Sequence, residues 1–226
     1  MKTNYDKDRA ETLTERILEH SNAPQIGVLA NDLLREYHRG YPVESLRPLL
    51  FSDDQDVVAA GVFIASELGA KGSPLLDEVS RLIGYPKKSV RFDAIDCLLL
   101  WAGPSNKTEL ASVISLLGDP EPGVRWKVMD FLSRASREQL AAALSFLEVT
   151  EPNSVNVGGL RWLIGSQASD SQNVKTALQS KEGVLRKYGV VAARRMSNSN
   201  KEPLLYAASL DDPDVKNFAD SSITLL

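Results

Sequence analysis

Six apolar segments, each opened by a valine, recur along the second four-fifths of the chain. They are DVVAAGVFIASELG at Val57, SVRFDAIDCLLLWAG at Val90, GVRWKVMDFLSRAS at Val124, SVNVGGLRWLIG at Val155, GVLRKYGVVAARRM at Val184 and DVKNFADSSITLL at Val215. Successive valines are 33, 34, 31, 29 and 31 residues apart. A fixed spacing of this length is the mark of stacked supersecondary units, none of which can bury its own apolar face. Each valine segment is preceded by a shorter apolar partner such as SLRPLLF, LASVISLLG or LLYAASL, across turn-rich links such as Gly118-Asp119-Pro120-Glu121-Pro122 and Asp211-Asp212-Pro213-Asp214. Helix-start signals accompany them: Ser73 before Pro74, Asn106 three residues before Glu109, Ser136 before Gln139 and Ser169 before Gln172. Every unit therefore reads as helix, turn, helix.

The run Asp119 to Arg125 (D-P-x-x-x-V-R), Ser89 to Arg91 (SVR) and Asp211 to Val215 (DDPDV) resembles the HEAT-repeat consensus. The resemblance covers about residues 43–226 and implies an all-α fold, an α-solenoid of about six HEAT-like helical hairpins. Units four and five depart from the pattern, with Asn156 and Leu185 standing where the arginine would be. Upstream, residues 6–20 and 25–38 have helical apolar spacing and are separated by Asn22-Ala23-Pro24. We read residues 1–42 as an N-terminal two-helix cap on a single 1–226 domain, since an open stack exposes its first apolar face.

Counting each second helix from its valine as zero sorts positions by face, at 100° per residue. Position +7 (Ile64, Cys97, Phe131, Trp162, Val191) and +8 (Ala65, Leu98, Leu132, Leu163, Ala192) form a core stripe. Position +4 is mostly small, with Gly61, Ala94 and Gly159 but also Tyr188. The opposite face, at +2, +6 and +9, is the concave surface that the resemblance implies. It carries Phe63, Phe92, Asp96, Leu99, Trp126, Asp130 and Arg161. A solvated face is rich in Lys, Glu and Gln, whereas aromatics beside carboxylates suit a protein partner. The competing expectation is that the helix phase is displaced by a position, or that the N-terminal helices cover the ridge.

Charge limits the partners. The net charge is −4 and the pI about 5.3, which disfavours duplex nucleic acid as the main partner. It is unevenly spread: residues 161–201 carry eight basic against two acidic groups, and residues 1–120 carry 13 against 18. No run of apolar residues is long enough to span a membrane and no secretory apolar stretch opens the sequence, so the expected location is the cytoplasm. Lone Cys97 reads as a reduced core thiol. His20 and His38 lack metal-ligand spacing, and no nucleotide or hydrolase motif occurs, so neither metal, cofactor nor catalytic residue is expected.

By analogy with HEAT- and armadillo-like bacterial immunity proteins, the expectation is a non-enzymatic, cytoplasmic scaffold that blocks a nuclease-type toxin domain. Phe63, Phe92 and Trp126 would anchor the toxin while Asp96 and Asp130 pair with its basic active-site cleft. Two alternatives remain open. Trp126, Asp130 and Arg161, the last two sharing offset +6, resemble the site of HEAT-like alkylpurine DNA glycosylases. A general adaptor, or the HEAT-like subunit of a bilin lyase, would show the same solenoid.

Overall fold

The structure, a computed structural model, describes residues 5–19 and 25–225, and of residues 166 and 167 the backbone alone. His20 and the Asn22-Ala23-Pro24 link lie outside the described residues. The described residues form helices and turns, with no strand among them. Two compact units divide the chain, residues 1–101 and 102–226.

The first unit holds α1 (Lys7–Glu19), α2 (Ile26–His38), α3 (Arg47–Leu50), α4 (Gln55–Glu67), α5 (Leu76–Ser80) and α6 (Lys88–Trp101). Helix α1 is formed by apolar residues at helical spacing, and it buries Ala10, Leu13 and Ile17. It packs on α2 and α3, and α3 packs on α5; the second helices stack as α2 on α4 and α4 on α6. Helices α1 and α2 thus occupy the same two layers as the hairpins that follow them. The N-terminus of α4 is capped by Asp54, whose carboxylate accepts from the N–H groups of Asp56 (2.8 Å) and Val57 (3.3 Å). Layers approach closely where side chains vanish: a Cβ on Gly61 would lie 2.9 Å from Leu49 Cβ. Glu36 in α2 is fully buried, and its charge is met by Arg39 at 2.7 Å and by the Asp6 N–H at 3.0 Å.

Ser73 does not start a helix. Residues Gly69–Leu75 form a 3-10 helix with Pro74 inside it, and α5 begins only at Leu76. The indole of Trp101 dictates this path. It donates to the Gly69 carbonyl (2.7 Å), and its ring lies so close to Gly72 that a Cβ there would stand 2.2 Å away.

The second unit holds α7 (Lys107–Ser115), α8 (Pro122–Arg134), α9 (Arg137–Thr150), α10 (Val155–Ile164), α11 (Ser171–Leu178), α12 (Gly183–Met196), α13 (Glu202–Ala208) and α14 (Pro213–Thr224). With α3–α6 these complete the six hairpins expected from the valine spacing. Ser136 and Gln139 make the expected capping box on α9. Asn106 stands at the cap position of α7 but turns its side chain back to the Gly103 N–H (3.0 Å). The α11 cap is Asp170 rather than Ser169, because its carboxylate reaches the N–H groups of both Gln172 and Asn173.

The stacking here differs from that of the first unit. Helix α12 packs against α8, α10, α11, α13 and α14, and α14 also reaches α8. Six consecutive residues of α12, Tyr188 to Ala193, are buried. The second helices of hairpins three, five and six therefore converge on one another.

Two substitutions test these contacts. In urea denaturation, Ser136→Ala is expected to cost about 1 kcal/mol through loss of the capping box. Gly72→Ala is expected to cost about 1–3 kcal/mol, because the Trp101 ring has nowhere to retreat without losing its hydrogen bond.

Candidate interaction ridge

The starting point of each second helix decides which residues share a face. In five of the six, the third helical residue occupies the equivalent place: Val57, Val90, Val124, Leu185 and Val215. The valine count is therefore displaced in unit five, by one residue. In unit four Val155 is 40% exposed, but Gly159, Leu160 and Leu163 at +4, +5 and +8 are buried and Arg161 at +6 is exposed, as the count from Val155 expects.

An arginine clamp supports the same register. Arg91 donates through Nη1 to the carbonyls of Tyr85 and Pro86 (both 2.8 Å), and Arg125 to those of Asp119 (2.8 Å) and Pro120 (3.0 Å). Arg186 does the same for Ser180 (2.9 Å) and Lys181 (3.1 Å). Each guanidinium ties off carbonyls six and five residues upstream, in the turn that opens its helix. Unit five thus keeps its arginine one position later than expected. In the corrected register position +4 of α12 is Gly189, where a Cβ would lie 2.9 Å from the Leu178 backbone nitrogen, matching Gly61.

Four of the candidate residues belong to the first unit. Phe63 on α4 and Phe92 and Asp96 on α6 are half-buried. Leu99 does not lie on a solvent face: it is 9% exposed, and its neighbour Leu100, at 53%, carries the apolar surface instead. The cause is that α6 has neighbours on several sides, α4, α5 and the Gly69–Leu75 segment, so burial extends further round it than on a single-sided helix. Cys97 is completely buried, and burial, reinforced by the Asp93 and Asp96 charges, pushes its thiol far up.

The other three lie in the second unit, each engaged with a residue of that unit. The Trp126 indole donates to Ser221 Oγ at 2.9 Å, and its ring stands 5.8 Å from that of Phe218. Asp130 pairs with Arg134 at 3.1 Å and lies 3.9 Å from the Lys127 ammonium. Arg161 is exposed and donates to Glu148 at 2.7 Å. Cover over the Trp126 face comes from α14.

Beside Trp126, Arg125 grips Asp214 with two hydrogen bonds (2.7 and 2.8 Å), and Lys187 approaches the same carboxylate at 3.2 Å. Burial raises the Asp214 pKa, but the hydrogen bond from Arg125 and the Lys187 charge outweigh it and hold the group below the usual carboxylate range. Similar pairing removes half of the basic stretch. Arg161 meets Glu148, Lys175 meets Glu202, Arg186 meets Asp212 and Lys187 meets Asp214. These acids lie outside residues 161–201, which is why the local count missed them. By unit, residues 1–101 have 12 basic and 16 acidic groups, while residues 102–226 have 14 of each. All of the net charge sits in the first unit. Among the described residues no group of three potential ligands could hold a metal ion, and no helix is long and apolar enough to cross a membrane.

No protein-family model and no curated protein matches the chain. Among solved structures it is similar to the archaeal HEAT-like repeats protein from Thermococcus onnurineus NA1, at 15% identity over 95% of this chain and 98% of that one, with a TM-score of 0.50. An engineered protein is similar at 13% identity over 95% and 90% of the two chains, with a TM-score of 0.47. The archaeal likeness shows the fold: the chain has a HEAT-like helical-repeat fold.

The Asp214 cluster gives a pH prediction. A carboxylate depressed in the folded state adds stability that is fully present above its unfolded pKa, about 3.9, and is lost as the pH falls through the folded value. Asp214→Asn is expected to lower stability at pH 7 by on the order of 2–3 kcal/mol, less than for a completely buried pair. In urea titrations the gap between variant and parent should narrow as the pH falls from 7 to below about 4. A gap of the same size at both ends would mean that the pair contributes through shape alone.

Proposed function

We propose that this scaffold binds a protein, and that it is a bacterial immunity protein holding a cognate nuclease-type toxin domain. The observation that supports this reading is the coincidence, within the first unit, of Phe63 and Phe92 on packed neighbouring helices, Asp96 one turn from Phe92, and the whole net charge of −4. Half-exposed rings supply most of the affinity of a protein interface when a partner desolvates them. An acidic surround steers and orients a basic partner, and a nuclease cleft that grips phosphates is basic by necessity. Occupying that cleft would exclude nucleic acid without any catalytic step. The binding surface, in this reading, is Phe63, Phe92 and Asp96. Trp126 and Asp130 contribute to the second unit's own packing.

The glycosylase alternative needs Trp126, Asp130 and Arg161 turned toward a common base. Their partners Ser221, Arg134 and Glu148 speak against it. Incubation with methylated duplex DNA tests it directly: base release that disappears in Asp130→Asn would overturn the scaffold reading.

For the scaffold reading, a pull-down from cells carrying the neighbouring genes should recover one small toxin domain, whereas several endogenous partners would indicate an adaptor. Against the recovered partner, Phe63→Ala and Phe92→Ala are each expected to weaken binding about 10- to 100-fold in calorimetry. Asp96→Lys is expected to slow association and reduce its dependence on salt. Parental affinity in the Phe63→Ala/Phe92→Ala double variant would place the interface elsewhere.

A further inference from the structure

Two guanidinium groups of the second unit share one arrangement. Arg125 donates through Nη1 to the Asp119 and Pro120 carbonyls and gives its other edge, Nε and Nη2, to the Asp214 carboxylate. Arg186 places Nη1 on the Ser180 and Lys181 carbonyls and sets both Nε and Nη2 2.7 Å from Asp212 Oδ2. The Nε and Nη2 edge presents two parallel N–H groups, which match the two oxygens of a carboxylate.

Arg195, in the last turn of α12, repeats the first half of this arrangement without the second. Its Nη1 donates to the Leu132 (2.7 Å) and Ala135 (3.1 Å) carbonyls, but among the described residues Nε and Nη2 meet no carboxylate. The electrostatics differ accordingly. The hydrogen bond to Asp214 leads the causes that raise the Arg125 pKa, whereas at Arg195 burial alone acts, and it lowers the pKa. Arg195 is a partly desolvated cation with no counter-charge, and it keeps one side open to solvent.

The surroundings suit an anion. Arg195 lies where two adjoining recesses meet, of about 450 and about 350 Å³, and Leu163 and Ser169 also line both. The larger one holds Arg137, the first residue of α9, which is exposed and makes no ion pair or hydrogen bond with a described residue. Its chain neighbour Glu138 feels that charge but lines neither recess, and no other acidic residue does among those described. Leu140, Leu163 and Ile164 supply apolar wall. Elsewhere in the unit Arg134, Arg161, Lys175 and Lys187 each face a carboxylate. Two uncompensated guanidiniums beside an apolar wall, in a recess of a few hundred cubic ångströms, make a small-molecule site with a defined charge.

We propose that these recesses bind a small apolar carboxylic acid as its anion. The carboxylate takes the free edge of Arg195 with Arg137 alongside, as Asp214 takes that of Arg125, and the hydrocarbon lies on Leu140, Leu163 and Ile164. The site belongs to the second unit and does not depend on the assignment of the Phe63 and Phe92 surface.

The test is a titration of the full chain with benzoate at neutral pH, followed by calorimetry and by the arginine Nε–H signals in NMR. The Arg195 signal should shift saturably, while those of Arg125 and Arg186, whose edges are filled, stay in place. Benzamide, which has the shape without the charge, should not bind. Arg137→Gln removes a side chain that bonds no described residue, so it should melt with the parent and bind benzoate about tenfold more weakly. Arg195→Lys keeps the charge but loses the two-pronged edge, and should also weaken benzoate about tenfold or more. Benzamide binding as well as benzoate, or parental benzoate affinity in folded Arg137→Gln and Arg195→Lys, would overturn the proposal. So would ready displacement of benzoate by inorganic phosphate, which would reveal a site for charge alone.

Discussion

The second unit depends on one helix that has no solvent face. Across Tyr188 to Ala193 every side of α12 is covered, which requires small residues where neighbours come closest and an apolar surface all round. Gly189 admits the α11 backbone, and Ala192 and Ala193 take up little room beside it. The polar ends of α12 are tied down by hydrogen bonds and ion pairs. Arg186 reaches Asp212, Lys187 reaches Asp214 and the Leu117 carbonyl, and Arg195 donates to the Leu132 and Ala135 carbonyls at the end of α8. A helix anchored in this way draws α8 and α14 toward it, and the Trp126 contact with α14 follows.

That convergence redistributes the roles of the surface residues. A ridge read as continuous along the second helices is, in the second unit, partly an internal seam. The charges tell the same story, because the second unit balances its acids and bases largely by pairing them. The first unit keeps its hairpins in regular register and carries the excess of carboxylates. Functional proposals for a protein partner accordingly concentrate there.

The helical hairpins and their number were legible in the sequence because apolar periodicity and turn residues are local signals. The Ser136 capping box was legible for the same reason. Ser73 and Ser169 misled, since a serine before a plausible helix does not reveal that Trp101 will hold the chain in a 3-10 path or that Asp170 is the better acceptor. The register of unit five was misread because valine was taken as the marker, whereas the equivalent place is the third residue of the helix, held by Leu185. Arg186 was the available clue, as it repeats the spacing of Arg125 to its turn. The pairing of the basic stretch and the covering of Trp126 were not legible. Their partners lie up to 95 residues away, and no periodic pattern encodes such contacts.

The bond between Arg125 and Asp214 closes a span of 89 residues within the second unit. In a stack where each repeat touches only its neighbours, stability is a chain of local terms, and the ends can fray while the middle holds. Here the third and sixth hairpins are fastened to each other as well as to α12, so neither can leave without opening the other's contacts. The second unit should therefore melt as one cooperative block. It should also fold more slowly than a helical array of its length, since the closing contact has to be found across a long loop before it returns any stability.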